Sequence, residues 1–357
     1  MQDPRISKLA KIMVEQCLEI KPLEKINLYC SSALGLPLAR EIYAQALAAG
    51  ALPSLDIGDE EIAAHYYLHA SDQQLQSFPK LAEYQADYFD KFVQIIAEEN
   101  TSYLAGVDSA KIMSRAVLTQ SIKEKKLLKP WVLTFYPTAA TAQAAKMSLP
   151  QLEDFYFGTV LQDWPKISKE MTKLAARLKG KTIHLIGQDT DLILQTKGRI
   201  WNDTDWKCNM PGGEVFTSPI KESVEGHVYF NFPLTNHGVT MHDIRLTFKK
   251  GQVVKATTSN SEGQKHLEKL LATDAGSKYL GEMAIGFNPG CQRYMDNVLF
   301  DEKMAGTIHM ALGESFPECG LDNRSALHLD IIKSMSGPDD LLLADDEIIM
   351  KGGKFVK

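Results

Sequence analysis

Two side chains able to bind a metal ion stand two residues apart in the apolar segment LHLDII. They are His328 and Asp330, and a β-strand would project both from one face while Leu329 and Ile331 project from the other. An imidazole nitrogen and a carboxylate oxygen held by one strand form half of a site for a divalent metal ion. The commoner origin of a lone His-x-Asp pair is a surface strand with a polar face, and this alternative stays open here.

Three further polar residues lie in apolar or glycine-rich sequence: Glu214 in PGGEVFTSP, Glu282 in LGEMAIGF and His309 in GTIHMALG. A lone histidine in such a segment is more often a hydrogen-bonded core residue than a ligand. A buried glutamate, however, needs an arginine or a metal ion beside it, because an unpaired buried charge is costly. With the His-x-Asp pair, the two glutamates suggest a dinuclear site in which one carboxylate bridges the ions and an activated water hydrolyses an amide. The spacing matches no compact zinc signature such as HExxH.

The first part of the chain alternates strand and helix patterns. Residues 25–30 predict a strand, residues 36–50 a helix that ends at a glycine, and residues 51–58 the next strand. Such βαβ units build parallel sheets. The turn after the first strand carries neither a GxGxxG fingerprint nor a phosphate-binding loop, which argues against a nucleotide-binding function.

The pattern changes after residue 180. Residues 181–196 and 242–258 are rich in β-type residues and broken by tight turns, and short helical segments lie between them. We therefore expect an α/β fold with two domains, an N-terminal α/β domain over residues 1–180 with a mostly parallel sheet and a C-terminal α+β catalytic domain over residues 181–357 that binds the metal.

Composition excludes several classes of function. The 357 residues carry a net charge of -6 without a long basic run, which makes nucleic acid a poor partner. The first twenty residues predict an amphipathic helix instead of a signal peptide, and no apolar stretch has the length of a membrane span. The five cysteines are scattered, without a CxxC pair, and indicate a reduced, cytoplasmic protein.

Three longer motifs carry a resemblance. CNMPGGEVFTSPIKESVEG, YLGEMAIGFNPGCQRYMDNVLFDEKMAGTIHMALGESFPECG and SALHLDII occur in this order and together resemble the aminopeptidase T/S family of metallo-aminopeptidases. The segment WVLTFYPTAATAQAAKMS is also similar to that family. The resemblance implies a two-domain cytosolic exopeptidase that acts on short peptides with two divalent ions of the zinc or cobalt class. It also implies a homodimer whose sites face an enclosed cavity.

The resemblance assigns roles to the five residues. Glu214 stands at the position of the first ligand glutamate and Glu282 at that of the bridging glutamate, while His309, His328 and Asp330 match the remaining metal ligands. A carboxylate that binds the metal, Glu214 or Glu282, is then the candidate general base. The glycines before Glu214 would let the loop backbone pass close to the site.

One position departs from the family. Seven residues after the motif histidine the family has a tyrosine, whereas HMALGESFPE has Phe316. A phenol near two metal ions can bind weakly or donate a hydrogen bond to a developing oxyanion, which phenylalanine cannot do. Altered or reduced activity is therefore expected. Arg293 and Lys303, in the same motif block, are candidates for contact with a substrate carboxylate.

Two alternative functions remain open at this point. Ring-cleaving dihydroxypyridine dioxygenases share the fold and use one iron ion with a histidine–aspartate pair, but an iron site with two histidines and one carboxylate has no use for Glu214 and Glu282. A non-catalytic relative that retains the fold and binds peptides or a partner is supported by Phe316 alone.

Overall fold

The computed structural model describes residues 3–356, apart from the side chain of Ser109. These residues form two compact units, which are described separately. Unit 1 contains the residues up to 161 together with 206–210, and unit 2 contains residues 162–205 and those from 211 onward. The domain boundary expected at residue 180 stays a prediction.

The helices follow the predicted apolar periodicity, and many begin at a capping side chain such as that of Asp59, Ser148 or Asp163. The α-helices are α1 (Pro4–Lys11), α2 (Leu36–Ala48), α3 (Glu60–His69), α4 (Asp72–Leu75), α5 (Lys80–Tyr88), α6 (Ser109–Leu127), α7 (Ala139–Ala144), α8 (Leu149–Val160), α9 (Trp164–Leu178), α10 (Ser261–Leu271) and α11 (Val298–Asp301).

The strands are short and rich in apolar residues. They are β1 (Lys25–Cys30), β2 (Leu52–Ile57), β3 (Lys91–Ile96), β4 (Trp131–Phe135), β5 (Thr182–Gly187), β6 (Thr190–Gln195), β7 (Asn209–Met210), β8 (Glu214–Thr217), β9 (Glu225–Phe230), β10 (Leu234–Asn236), β11 (Val239–Met241), β12 (Ile244–Lys249), β13 (Gln252–Thr257), β14 (Leu280–Gly286), β15 (Thr307–Gly313), β16 (His328–Ser334), β17 (Leu341–Ala344), β18 (Glu347–Lys351) and β19 (Lys354–Phe355).

Unit 1 is built on one parallel sheet with the strand order β2-β1-β3-β4-β7. Helix α2 connects β1 to β2 and helix α6 connects β3 to β4, so each parallel pair has the crossover that it requires. The interior of β1 is almost continuously buried, as expected for a parallel strand covered on both faces. The α/β class predicted from the sequence is confirmed.

Unit 2 is dominated by antiparallel sheets. An eight-stranded sheet has the order β13-β12-β9-β6-β5-β17-β18-β19, and a four-stranded sheet has the order β16-β15-β14-β8. The β-rich segments predicted from the sequence form the hairpins β5–β6 and β12–β13. The second hairpin turns at Lys250 and Gly251, with φ angles of 50° and 76°, and a Cβ atom on Gly251 would lie 1.7 Å from the Lys221 carbonyl oxygen. Glycine is therefore required in this turn.

The four-stranded sheet forms the interior of unit 2. Every residue of β8, β14 and β15 is buried, including the acidic and imidazole side chains that these strands contain. Polar groups in such a position need partners, because water does not reach them.

Within residues 3–356, no helix combines the length and the apolar composition that a membrane span requires.

Candidate metal centre

The four-stranded sheet of unit 2 places the five ligand candidates on one face. Glu214 begins β8, Glu282 lies in β14, His309 lies in β15, and His328 and Asp330 lie in β16. Paired residues of antiparallel neighbours share a face, as do residues two apart along a strand. The pairs that fix the arrangement are Gly286 with Glu214, Ala284 with His309, and Ala311 with both Glu282 and Asp330. Strand register thus brings together residues that are distant in the sequence.

The site is closed at one end and open at the other. The side chains of Glu214, Glu282 and His309 are 7%, 4% and 1% exposed, whereas those of Asp330 and His328 are 15% and 31% exposed. A small molecule therefore reaches the candidates from the His328 end.

Distances between neighbouring candidates fit ligands of a common ion better than hydrogen bonds. His309 Nε2 lies 3.3 Å from Glu214 Oε2 and 3.6 Å from Glu282 Oε1. His328 Nε2 lies 3.3 Å from Glu282 Oε2 and 3.4 Å from Asp330 Oδ1. Hydrogen bonds between N–H and oxygen cluster at about 2.9–3.0 Å, whereas two ligands about 2.1 Å from one tetrahedral ion lie about 3.4 Å apart. Imidazole and carboxylate are also the donor types that zinc and similar divalent ions take.

Three buried polar atoms of these side chains make no hydrogen bond within the described part of the chain: Glu214 Oε2, His309 Nδ1 and Asp330 Oδ1. A buried polar atom without a partner retains its desolvation cost, and native proteins rarely leave one so. One cation bound to Glu214 Oε2 and another bound to Asp330 Oδ1 would satisfy two of the three. The residues present therefore fit a divalent metal ion.

Two sets of three residues each bring one ligand atom per residue within 4.8 Å of the others. The first group consists of Glu214, Glu302 and His309, and the second group consists of Glu282, His328 and Asp330. Glu302 was missed in the sequence analysis, because it lies in the charged segment FDEKM and has no apolar flank to distinguish it from a surface residue.

Lys303 lies inside the cluster of buried carboxylates. Its side chain is 0% exposed, and its ammonium contacts Glu214 Oε1, lies 2.8 Å from Glu302 Oε1 and lies 3.4 Å from Asp205 Oδ2. Asp205 in turn accepts hydrogen bonds from the backbone N–H groups of Gly213, at 2.9 Å, and Glu214, at 3.2 Å. Asp205 and Lys303 thus hold the backbone and the carboxylate of Glu214. Nothing in the polar segment around Asp205 pointed to this role.

The net negative charge of the cluster matches the charge of two divalent ions. Five carboxylates and one ammonium, counted as ionised, have four excess negative charges, which two divalent ions would neutralise. The carboxylates are those of Asp205, Glu214, Glu282, Glu302 and Asp330, and the ammonium is that of Lys303.

The carboxyl groups of the cluster differ in the direction of their pKa shifts. Burial raises the pKa values of Asp205, Glu214 and Glu302, and the ammonium of Lys303 opposes the rise. Burial also acts to raise the pKa of Asp330, but the charge of His328 outweighs it and lowers this pKa to about 2. Burial thus favours the neutral form of the three carboxyl groups around Lys303, whereas the charge of His328 favours the ionised form of Asp330.

The histidines show the opposite shift. Burial lowers the pKa of His309, but contact with Glu282 and the charge of Glu214 outweigh it and raise the pKa to about 10. Burial likewise lowers the pKa of His328, while Asp330 and Glu282 raise it well above its ordinary value. The surrounding carboxylates therefore favour positive charge at the positions of both imidazoles.

Phe316 lies at the open end of the site. Its ring centroid is 5.2 Å from that of His328 and 5.1 Å from that of Phe216, in edge-to-face contacts. The structure thus places Phe316 beside a ligand candidate and Lys303 among the carboxylates, while Arg293 is exposed. The substrate contacts proposed for Arg293 and Lys303 stay predictions.

Gly213 is the glycine whose backbone geometry determines the position of Glu214. Its φ is +109°, and a Cβ atom would lie 2.9 Å from the Asn288 Cβ atom. We expect Gly213→Ala to destabilise the protein by about 1–3 kcal/mol, because a side chain at this φ is strained, and to weaken metal binding. Thermal unfolding with and without zinc measures both effects.

Gly158→Ala is the matched control, since Gly158 lies in helix α8 and its added Cβ meets nothing within 4 Å. It should leave metal binding unchanged and stabilise the helix by about 0.5–1 kcal/mol. Wild-type stability and metal affinity in Gly213→Ala would contradict the account of Glu214.

Comparisons with known proteins show which proteins the chain is similar to. The chain is 26% identical over 384 residues to Aminopeptidase 2 of Geobacillus stearothermophilus, a match that covers 96% of this chain and 91% of the relative. The structure of AmpT from Thermus thermophilus superposes with a TM-score of 0.84 at 22% identity, covering 99% of both chains. A 2,5-dihydroxypyridine dioxygenase from Pseudomonas putida shares the fold more distantly, with a TM-score of 0.61 at 13% identity over 98% of this chain and 96% of that one.

A family model described as thermophilic metalloprotease (M29) matches residues 2–355, nearly the whole chain. The protein therefore belongs to this metalloprotease family.

Proposed function

We propose that the protein is a metal-dependent aminopeptidase that removes N-terminal residues from short peptides with two divalent ions. The observation that carries the proposal is the continuous row of donor atoms from Glu214 through His309, Glu282 and His328 to Asp330, with neighbours 3.3–3.6 Å apart. Membership of a metalloprotease family and likeness to a relative named as an aminopeptidase support it.

Glu282 is the proposed bridging ligand. Its two carboxylate oxygens face different histidines, Oε1 towards His309 and Oε2 towards His328. One oxygen is thus available to an ion bound with His309 and Glu214, and the other to an ion bound with His328 and Asp330. The four excess negative charges of the cluster support two ions over one.

Divalent ions bound here would supply a Lewis acid and a nucleophilic water for hydrolysis of the peptide bond. Glu214 and Glu282 are the candidate proton acceptors, and Glu214 is the one proposed, because both oxygens of Glu282 would bind ions. Their burial excludes bulk water, which strengthens the electrostatic interactions inside the site. The open end beside His328 and Phe316 admits the substrate.

Three further properties of the protein are proposed: its location, its metal and its oligomeric state. No disulfide joins any two cysteines within residues 3–356, which supports a reducing, cytoplasmic location. Zinc or cobalt fits the imidazole and carboxylate donors. A homodimer is proposed from the family resemblance, and light scattering of the purified protein measures it.

The test combines metal content with turnover. Elemental mass spectrometry of the purified protein should find two divalent ions per chain after incubation with zinc, cobalt or manganese. A panel of aminoacyl-p-nitroanilides and short peptides should then be hydrolysed from the N-terminus, and chelation should abolish the activity. One iron ion per chain, no peptide hydrolysis and oxygen consumption with a dihydroxypyridine would instead establish a dioxygenase.

A further inference from the structure

The two groups differ in the cations that already contact them. In the first group, the ammonium of Lys303 contacts one carboxylate oxygen of Glu214 and lies 2.8 Å from one of Glu302. In the second group, the ion pairs of Glu282 and Asp330 within residues 3–356 are with histidines alone. An imidazole nitrogen has a lone pair that can bind a metal ion, whereas a lysine ammonium has only N–H donors and cannot bind one.

We propose that Lys303 lowers the metal affinity of the first group. The second group then binds its ion first, and the first group binds its ion weakly and reversibly. This inference rests on the proposed function, because it concerns the two divalent ions proposed there. The ammonium competes for oxygens of two of the three residues in the first group. It also repels a divalent ion bound beside it, and repulsion between buried charges is only weakly screened by salt.

The burial of Lys303 strengthens the argument. Its side chain is fully buried, and Asp205 holds its ammonium by a third ion pair at 3.4 Å. The ammonium therefore cannot swing into solvent when an ion arrives, as a surface lysine could. An ion in the first group must share Glu214 with the ammonium. It would take Oε2, which accepts no hydrogen bond from residues 3–356, while Oε1 stays with Lys303.

The test is a metal titration of the complete protein after chelation, with cobalt followed by visible absorption and by equilibrium dialysis. Wild type should bind two ions in separate steps whose dissociation constants differ by about ten-fold or more. Lys303→Met, which removes the charge and retains the bulk, should tighten the weaker step by about ten-fold or more and leave the stronger step unchanged.

Lys333→Met is the matched control. Lys333 is also fully buried in unit 2, at 1% exposure, and alternates to the face of β16 opposite Asp330. Neutralising it should leave both steps unchanged. If Lys303→Met does not fold, the double variant Lys303→Met with Asp205→Asn takes its place, because it removes the ammonium together with one carboxylate that the ammonium neutralises. The same tightening of the weaker metal-binding step, by about ten-fold or more, is expected.

Two results would overturn the inference. One is a wild-type titration in which both cobalt ions bind with equal affinity, or in which cobalt binds in a single step that Lys303→Met does not change. The other is a weaker second step in Lys303→Met, which would mean that Lys303 chiefly holds Glu214 in place. Peptide turnover separates these failures from failure of the proposed function, because a peptidase with two equal ions would contradict this inference alone.

Discussion

Glu282→Gln is expected to lower kcat/KM for peptide hydrolysis by about 10³-fold or more. Glutamine retains the size of the side chain but replaces one carboxylate oxygen with an NH₂ group, which cannot bind a metal ion. Each oxygen of Glu282 faces a different histidine, so either orientation of the amide removes one ligand. A metal ion contributes several kcal/mol of transition-state stabilisation, and about 1.4 kcal/mol corresponds to a ten-fold change in rate.

The measurement is kcat/KM together with metal content for the purified variant. Glu262→Gln, at an exposed position in the first turn of α10, is the control and should match wild type in both. Wild-type turnover with two ions bound to Glu282→Gln would show that Glu282 is not a bridging ligand.

Phe316→Tyr is expected to raise kcat by about 10²-fold, the scale on which one hydrogen-bond donor to a developing oxyanion changes a rate. The family resemblance places a tyrosine at this position. The Phe316 ring lies at the open end of the site, 5.2 Å from the His328 ring, so a phenol here is close to the reacting groups. Metal content should stay the same, which would assign the gain to turnover.

Phe355→Tyr adds the same hydroxyl to a partly exposed ring in β19, which packs against Phe287 with the ring centroids 4.8 Å apart and the planes tilted by 39°. It should leave kcat unchanged. If Phe316→Tyr has the kcat of wild type, a hydroxyl at position 316 does not contribute to turnover in this protein.

The sequence predicted the parts of the site that lie on strands. Glu282 and His309 were detectable because each is the one charged or titratable residue of an apolar strand, and the alternation around His328 predicted the strand β16. The fold class followed from the same periodicities.

Other parts of the site could not be predicted. Glu302, Lys303 and Asp205 lie in polar segments, where a charged residue is usually solvated, and nothing local distinguishes a buried ion pair from a surface one. Their burial depends on strand register and on contacts between distant segments. The order in which β8 pairs with β14, and β14 with β15, is likewise a property of the whole sheet.

Glu282 is proposed to bridge two metal ions bound on one face of the four-stranded sheet. Anomalous X-ray diffraction from crystals soaked in excess zinc tests this role most directly. We predict two anomalous peaks per chain, one among Glu214, His309 and Glu282 and the other among Glu282, His328 and Asp330. A single peak, or two peaks of which neither contacts Glu282, would contradict it.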